Sequence, residues 1–251
     1  MKMDNNFKNA VKSANKLLYN NISHNYDIID GRRSLSLENW LTTNIKSISK
    51  LTLNKRMLDI GTGSGFVIKC ADKIYKERIG IDISINILSC NLNHFDSFVC
   101  GDIDHLPFHD NTFDFVTCFA VLHHLYDFHE LTTEIFRVLK KGGVFYSDHD
   151  MDINFRNRFK FPLSLYRKLK NPLLIYKKYN PEINEDIFNL TEWQSKGIDS
   201  LSLKYSLETK GFTVQNKYHW FGLTKLTNIL FGKKYFNIGN APLTSIIAIK
   251  S

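Results

Sequence analysis

The chain has 251 residues, of which 43% are hydrophobic and 23% are charged, as in ordinary globular proteins large enough to bury a substantial core. It shows neither the apolar core of a signal peptide near its N-terminus nor a run of about 18 apolar residues, so we predict a cytoplasmic protein without a membrane span. The four cysteines have no paired spacing and are predicted to be reduced, buried packing residues. The formal net charge of +8 is spread unevenly along the chain.

The first 50 residues are predicted to form a helical cap. Apolar residues recur at helical spacing between positions 6 and 20, and again from Leu37 to Ile48. The stretch between them, Tyr26–Arg33, is predicted to be a loop. Because no repeat or low-complexity linker divides the sequence, residues 1–251 are predicted to form a single domain.

Strands and helices alternate from Arg56 onward. Strands are predicted at 56–60, 78–82, 97–100, 113–119 and 144–149, and two more at 213–220 and 243–250. The helix after the first strand is expected to reach about Ile74, and the one from about His129 to end at Lys140–Gly143, where cations precede a glycine cap. This alternation predicts an α/β fold with a doubly wound, mostly parallel sheet.

Residues 151–190 interrupt the alternation and are predicted to be an insertion over the carboxyl edge of the sheet. Pro162 and Pro172 are expected to start two short helices. Between positions 151 and 180, aromatic residues interleave with one acid, Asp152, and eight cations: Arg156, Arg158, Lys160, Arg167, Lys168, Lys170, Lys177 and Lys178.

Three interpretations of this basic, aromatic insertion stay open. It could be a solvated cap with an apolar underside, a pocket for an anionic acceptor, or a contact with an anionic membrane that carries a lipophilic substrate. Charge alone would also allow RNA binding, but the sequence contains no recognisable RNA-binding module, so we expect no nucleic-acid partner. The oligomeric state is not predicted.

A glycine-rich turn follows the first strand and indicates a nucleotide-like ligand. Gly61, Gly63 and Gly65 are evenly spaced, unlike the G-x-G-x-x-G of dinucleotide-binding loops. Asp59 lies two positions before the first glycine, where it would repel a phosphate and attract a cationic ligand. Asp82 ends the second strand, where a carboxylate can accept both hydroxyls of a ribose. These features favour an adenosine ligand with a cationic group over NAD.

The end of the third strand adds a second ligand-binding motif. Asp102 directly follows Gly101 and offers a carboxylate to an exocyclic amine. The adjacent Ile103 offers an apolar face to a ring.

Together these motifs resemble the class I S-adenosylmethionine-dependent methyltransferases. The similarity is closest to the methyltransferase type 11 branch, which includes the ubiquinone and menaquinone C-methyltransferases. It covers about residues 56–149 and rests on five stretches in the family's order: Leu58-Asp59-Ile60-Gly61-Thr62-Gly63-Ser64-Gly65, Gly80-Ile81-Asp82-Ile83-Ser84, Gly101-Asp102-Ile103-Asp104-His105-Leu106-Pro107-Phe108, Val121-Leu122-His123-His124-Leu125 and Arg137-Val138-Leu139-Lys140-Lys141-Gly142-Gly143.

The resemblance implies a Rossmann-like sheet of seven strands with the last strand antiparallel, and S-adenosylmethionine as the cofactor. It assigns the methionine part to Asp59 and the turn (Gly61, Thr62, Gly63 and Gly65), the ribose to Asp82 with Ile83, the adenine to Asp102 and Ile103, and the methyl end to Phe119 and Ala120. The implied activity is methyl transfer to a small-molecule acceptor. A non-catalytic S-adenosylmethionine-binding protein and an NAD-dependent oxidoreductase are the alternatives.

Two histidines are candidate catalytic residues. His124 belongs to the motif after the fourth strand, and His149 ends the fifth strand near the expected acceptor, where it could act as a base or as a structural hydrogen-bonding group. Asp148 and Asp150 are candidate metal ligands, but residues of the Ser147–Asp150 stretch alternate in direction along an extended chain and are expected to diverge. We therefore predict no metal site.

Overall fold

A computed structural model describes residues 5–30, 33–53, 55–170, 172–194 and 196–251. Its centre is an eight-stranded sheet with the strand order β3-β2-β1-β4-β5-β8-β6-β7. The strands are β1 (Arg56–Ile60), β2 (Glu77–Asp82), β3 (Ser97–Cys100), β4 (Phe113–Phe119), β5 (Leu139–Met151), β6 (Phe212–His219), β7 (Tyr235–Phe236) and β8 (Leu243–Lys250).

The five strands β1 to β5 run parallel, and β8 lies antiparallel between β5 and β6. The chain reverses its direction of winding between β1 and β4, which opens a crevice at their carboxyl ends, where doubly wound sheets bind ligands. The predicted α/β Rossmann-like fold with a terminal antiparallel strand is confirmed. The predicted count of seven strands is wrong, because β7 adds an eighth strand of two residues, too short for an alternating pattern.

Helices cover both faces of the sheet. They are α1 (Asn5–Ile22), α2 (Tyr26–Asp30), α3 (Leu35–Ser49), α4 (Phe66–Cys70), α5 (Ile85–Leu88), α6 (His129–Val138), α7 (Ile153–Arg158), α8 (Lys160–Lys170), α9 (Pro172–Tyr179), α10 (Glu185–Thr191), α11 (Ser200–Thr209) and α12 (Lys225–Phe231). Alternate residues of β1 enter different cores, Leu58 on the side of α6 and α11 and Met57 on the side of α3 and α4. No helix among the described residues is both long and apolar enough to cross a bilayer.

The structure corrects several local predictions. Residues 26–30 form α2 rather than a loop, because Tyr26 and Ile29 pack against the apolar cluster of α1 and α10. Helix α4 ends at Cys70, four residues early. Helix α6 ends at Val138, and the following lysines and glycines begin β5, where Lys140 Nζ lies 3.0 Å from an Asp114 oxygen on β4. Cys100 is exposed rather than buried.

Some of the predicted features lie outside the described residues. These are Gly31 and Arg32 of the predicted loop and the side chains of Arg167, Lys168 and Lys170 in the predicted insertion.

Candidate active site

A cavity lies at the carboxyl ends of β1, β2 and β4, beneath α1. About 90 Å³ of its interior is accessible to a water-sized molecule, and the cavity is partly open to solvent. The predicted site residues in its wall are Gly61, Gly63, Asp82, Ile83, Asp102, Ile103, Ala120 and His124. A smaller cavity shares Gly61 and Ala120 with it and is also lined by Asp59, Thr62 and Phe119. Gly65 precedes α4, and His149 lies outside the walls described for either cavity.

The glycine turn holds its shape through contacts that a side chain would disturb. Gly61 has a φ of +65°, and a Cβ atom there would lie 2.5 Å from Val121 Cγ2. The amides of Gly61 and Thr62 both donate to the carbonyl of Ile81, at 2.9 and 3.1 Å. The turn is thereby fixed to the end of β2, with its backbone exposed to the cavity.

Asp82 forms a polar wall of the cavity from the end of β2. Its two carboxylate oxygens accept hydrogen bonds from the amides of Gly63 (2.9 Å) and Ser84 (3.0 Å). Burial raises the pKa of this carboxyl, and the two amide hydrogen bonds oppose that shift. The geometry fixes the carboxylate against the glycine turn.

Asp59 is the most deeply buried acid of the predicted cofactor residues, with 1% of its surface exposed. Its Oδ1 accepts a hydrogen bond of 2.6 Å from Thr117, whereas its Oδ2 is buried without a hydrogen-bond partner among the described residues. Burial raises the pKa of Asp59 to about 7. A buried carboxylate oxygen without a donor is suited to a cationic or hydrogen-bond-donating ligand group.

Helix α1 supplies residues of the cavity that sequence reasoning missed. Lys12 Nζ lies 2.7 Å from Asp102 Oδ2 and 2.5 Å from Asp104 Oδ2, so the predicted adenine acceptor is already paired with a cation. Tyr19 lines the cavity from the same helix, and Tyr26 from α2. The helical spacing of apolar residues predicted α1, whereas Tyr26 was predicted to lie in a loop. Nothing in a local pattern shows which sheet residues a helix will cover.

His124 joins three separate parts of the chain at the cavity wall. Its Nδ1 donates to the carbonyl of Thr191 at 2.9 Å, which leaves Nε2 to accept from the Tyr19 hydroxyl at 2.8 Å. Burial lowers the pKa of His124 to about 4, so the imidazole is neutral at physiological pH. Burial also holds the pKa of Tyr19 well above its ordinary value.

His149 lies in a buried cluster behind the cavity. Its Nδ1 (2.7 Å) and the Nε2 of His219 (2.9 Å) donate to the same oxygen of Asp148, and Tyr146 donates to the other at 2.6 Å. Burial alone would raise the pKa of Asp148, but the two imidazoles hold it well below the ordinary value. The His149 ring stacks on Phe119 with centroids 4.5 Å apart, so His149 reaches the smaller cavity through that ring.

Asp148 and Asp150 enter different hydrogen-bond networks. Asp150 accepts from both the backbone amide (3.1 Å) and Nδ1 (2.6 Å) of His123, which fixes the turn after β4. Asp148 accepts from the imidazoles of His149 and His219 instead, so the expected divergence of Asp148 from His149 is wrong. The two side chains meet at an irregularity of β5, where His149 has a φ of +70° and the strand register shifts.

Comparisons with known proteins place these features in a family context. Residues 58–147 match the family of methyltransferase domains. The ubiquinone/menaquinone biosynthesis C-methyltransferase of Rickettsia bellii is 28% identical over 153 residues, which cover 55% of this chain and 60% of that protein. The matched parts span about half to three fifths of the curated relatives.

Solved structures share the fold. A methyltransferase of Thermotoga maritima, described as a possible histamine N-methyltransferase, has a TM-score of 0.61 at 17% identity and covers 94% of this chain and 99% of its own. Phosphoethanolamine N-methyltransferase 2 of Haemonchus contortus, solved with S-adenosyl-L-methionine, has a TM-score of 0.53 at 16% identity and covers 84% of this chain and 52% of its own. The predicted resemblance to class I methyltransferases is confirmed.

Proposed function

We propose that this chain, which carries a methyltransferase domain over residues 58–147, transfers the methyl group of S-adenosylmethionine to a small-molecule acceptor. One observation carries the proposal: three adjacent strands bring Asp59, Asp82 and Asp102 to one edge of the sheet, around two adjoining cavities. A cationic adenosine ligand offers a different partner to each carboxylate. Neither NAD binding nor cofactor binding without catalysis is favoured by the matching domain.

The buried oxygen of Asp59 is the best test of fit for this cofactor. A cationic amino group would supply the hydrogen bond that Asp59 Oδ2 lacks among the described residues. Asp82 would accept the ribose hydroxyls, with Ile83 as the adjacent apolar wall. Asp102 and Ile103 would hold the adenine, although Asp102 also forms an ion pair with Lys12.

The remaining predicted cofactor residues would surround the methionine part. The glycine turn (Gly61, Thr62, Gly63 and Gly65) would present backbone atoms to it, and Phe119 and Ala120 would line the methyl end. When bound, S-adenosylmethionine supplies an electrophilic methyl group on a sulfonium. The protein's task is then to align the acceptor and exclude water.

We propose that Tyr19 and His124 move the proton of an acceptor that must lose one. The acceptor's proton would pass to Tyr19 Oη as the phenol proton passes to His124 Nε2, while His124 Nδ1–H stays bonded to Thr191. An acceptor that is already anionic would need no base. His149 is proposed as a positioning residue, because it contacts Phe119 from behind rather than facing the main cavity.

The regions around the cavity would select the acceptor. We propose that residues 1–50 cap the site and that residues 151–190 form the insertion beside it, since α1 shares an apolar cluster with Ile183 and Tyr176. The cations and aromatics of the insertion favour an anionic or lipophilic acceptor. Four free cysteines agree with a reducing, cytoplasmic setting.

The proposed function is tested by incubating the protein with methyl-labelled S-adenosylmethionine and a panel of anionic and lipophilic small molecules. Transfer of label to an acceptor, with release of S-adenosylhomocysteine, is expected. Binding of cofactor without turnover across the panel would favour the binding-protein alternative.

In active samples, His149→Gln should lower kcat while the Kd for cofactor stays within about twofold, because only the acceptor end is disturbed. An unchanged kcat would exclude the positioning role of His149.

A further inference from the structure

Two segments of the chain lack acidic residues altogether. Residues 153–181 and 209–251 together contain fourteen of the 33 lysines and arginines and none of the 25 aspartates and glutamates. The rest of the chain therefore carries an excess of acid, so the positive net charge comes from these two segments. The sequence pattern predicts only the first of them as a basic insertion.

The structure joins these two segments along a row of aromatic contacts. Phe155 of α7 meets Trp220 edge-on at 5.1 Å, and Trp220 stacks on Phe231 of α12 at 4.9 Å. The Trp220 indole donates to the carbonyl of Asn240 at 3.1 Å, and Arg158 contacts the Asn240 side chain. Residues from both segments thus lie side by side around Trp220.

Helix α12 presents an apolar face that no described residue covers. Leu226, Ile229 and Leu230 are 64%, 80% and 62% exposed, and their spacing places them on one side of the helix. The opposite side is attached to the protein through Phe231 and through Asn228, whose Oδ1 accepts from the Gly222 amide at 2.8 Å. The helix is therefore attached along one side, with its apolar side turned outward.

Exposed apolar residues are concentrated in these two segments. Among the described residues, eleven of the 21 exposed large hydrophobic side chains belong to them, including Phe161 at 83% and Leu165 at 54% on α8. Scattered exposed leucines are ordinary, whereas such groups beside lysines characterise helices that lie in a membrane interface. We call the exposed side of α12 and residues 232–238 the basic apolar face.

We propose that the basic apolar face docks onto an anionic phospholipid bilayer. Leu226, Ile229 and Leu230 would enter the acyl boundary, while Lys233 and Lys234 would meet the lipid phosphates. A second copy that docks through the same face is a poor occupant, because it would bring the same cations against these. Aliphatic side chains also offer little to nucleic acid, which is bound through aromatic stacking and phosphate contacts.

The experiment is co-sedimentation of the full chain with phosphatidylcholine vesicles, with and without phosphatidylglycerol, at low and high salt. We expect binding only with phosphatidylglycerol, weakened by salt. The triple variant Leu226→Ser/Ile229→Ser/Leu230→Ser should bind at least about tenfold more weakly, because three apolar groups are lost from the interface. The matched variant Leu35→Ser/Leu53→Ser/Leu201→Ser changes equally accessible leucines outside the two segments and should bind like the wild type.

A second variant tests the charges separately. Lys233→Glu/Lys234→Glu should also lose at least about tenfold in affinity for the anionic vesicles. The proposal is overturned if the wild type ignores both kinds of vesicle, or if the Leu226 variant binds as tightly as the Leu35 variant. Dimerisation that the Leu226 variant abolishes, or tight binding to a DNA duplex without vesicle binding, would likewise overturn it. Vesicle binding is measured without cofactor, so its result is independent of methyl transfer.

Discussion

The sheet edge that forms the cofactor site and the helices that cover it are held by different kinds of interaction. At the edge, Asp59 and Asp82 are buried and fixed by hydrogen bonds from a hydroxyl and from backbone amides. The buried apolar residues of the cover pack mainly among the covering helices, and its contacts with the edge include ion pairs that are partly exposed, such as Lys8 with Asp127 at 3.2 Å. Each such pair contributes about 1 kcal/mol or less. The difference suggests a rigid cofactor half beneath a cover whose contacts can vary with the acceptor.

The largest expected effect concerns His124, the point at which the two regions meet. Its pKa is about 4 in the folded protein and near the ordinary 6.5 when unfolded, so the unfolded chain binds more protons between these values. This contribution to stability is fully present above pH 6.5 and is lost as the pH falls toward 4, by roughly 3 kcal/mol in total. Urea unfolding at pH 7 and pH 4.5 should show the loss.

The control for His124 is an exposed histidine. His124→Gln should remove this part of the pH dependence, whereas His109→Gln should retain it, because His109 lies on the surface. Equal slopes in the two variants would mean that the cover does not constrain His124 as described.

The second effect concerns cofactor binding and compares Asp82, which is held by the sheet edge, with Asp102, which is paired with Lys12 of the covering helix α1. Asp82→Ala should weaken binding of S-adenosylhomocysteine by about 1–3 kcal/mol, since charge-assisted hydrogen bonds are lost. Asp102→Ala should weaken binding of S-adenosylhomocysteine by less than about 1 kcal/mol, because the Asp102 side chain is 35% exposed and already paired with Lys12. Titration calorimetry of both variants measures the difference. A larger loss of affinity in the Asp102 variant than in the Asp82 variant would contradict the proposed difference between the sheet edge and its cover.

The smallest effect concerns the protonation of Asp59. Because burial raises its pKa to about 7, the carboxyl is mostly neutral at pH 6 and mostly ionised at pH 8. If the ionised form binds the cationic amino group, the affinity for S-adenosylhomocysteine should rise about tenfold between these pH values. Asp59→Asn should flatten the dependence. A wild-type affinity that falls with rising pH would show that this carboxyl does not bind the cation.

The sequence predicts the strands and the acids at their ends better than the contacts made by the covering helices. Strands β1, β4 and β8 have the predicted bounds, because mostly buried strands leave a nearly continuous apolar signal. Motif spacing placed Asp59, Asp82 and Asp102 at one edge. The partners of His124 could not be predicted, since Tyr19 and Thr191 are 105 and 67 residues away in the chain. Strand β7 and helix α12 were missed because two and seven residues carry too little periodicity.

The most direct test of the central claim is equilibrium binding of S-adenosylhomocysteine and of NAD to one folded sample of the wild-type chain. The three carboxylates and the evenly spaced glycine turn predict that one equivalent of S-adenosylhomocysteine binds and that NAD does not. Folded protein that binds NAD, or that binds neither compound, would contradict the assignment of the cavity to the methyl donor.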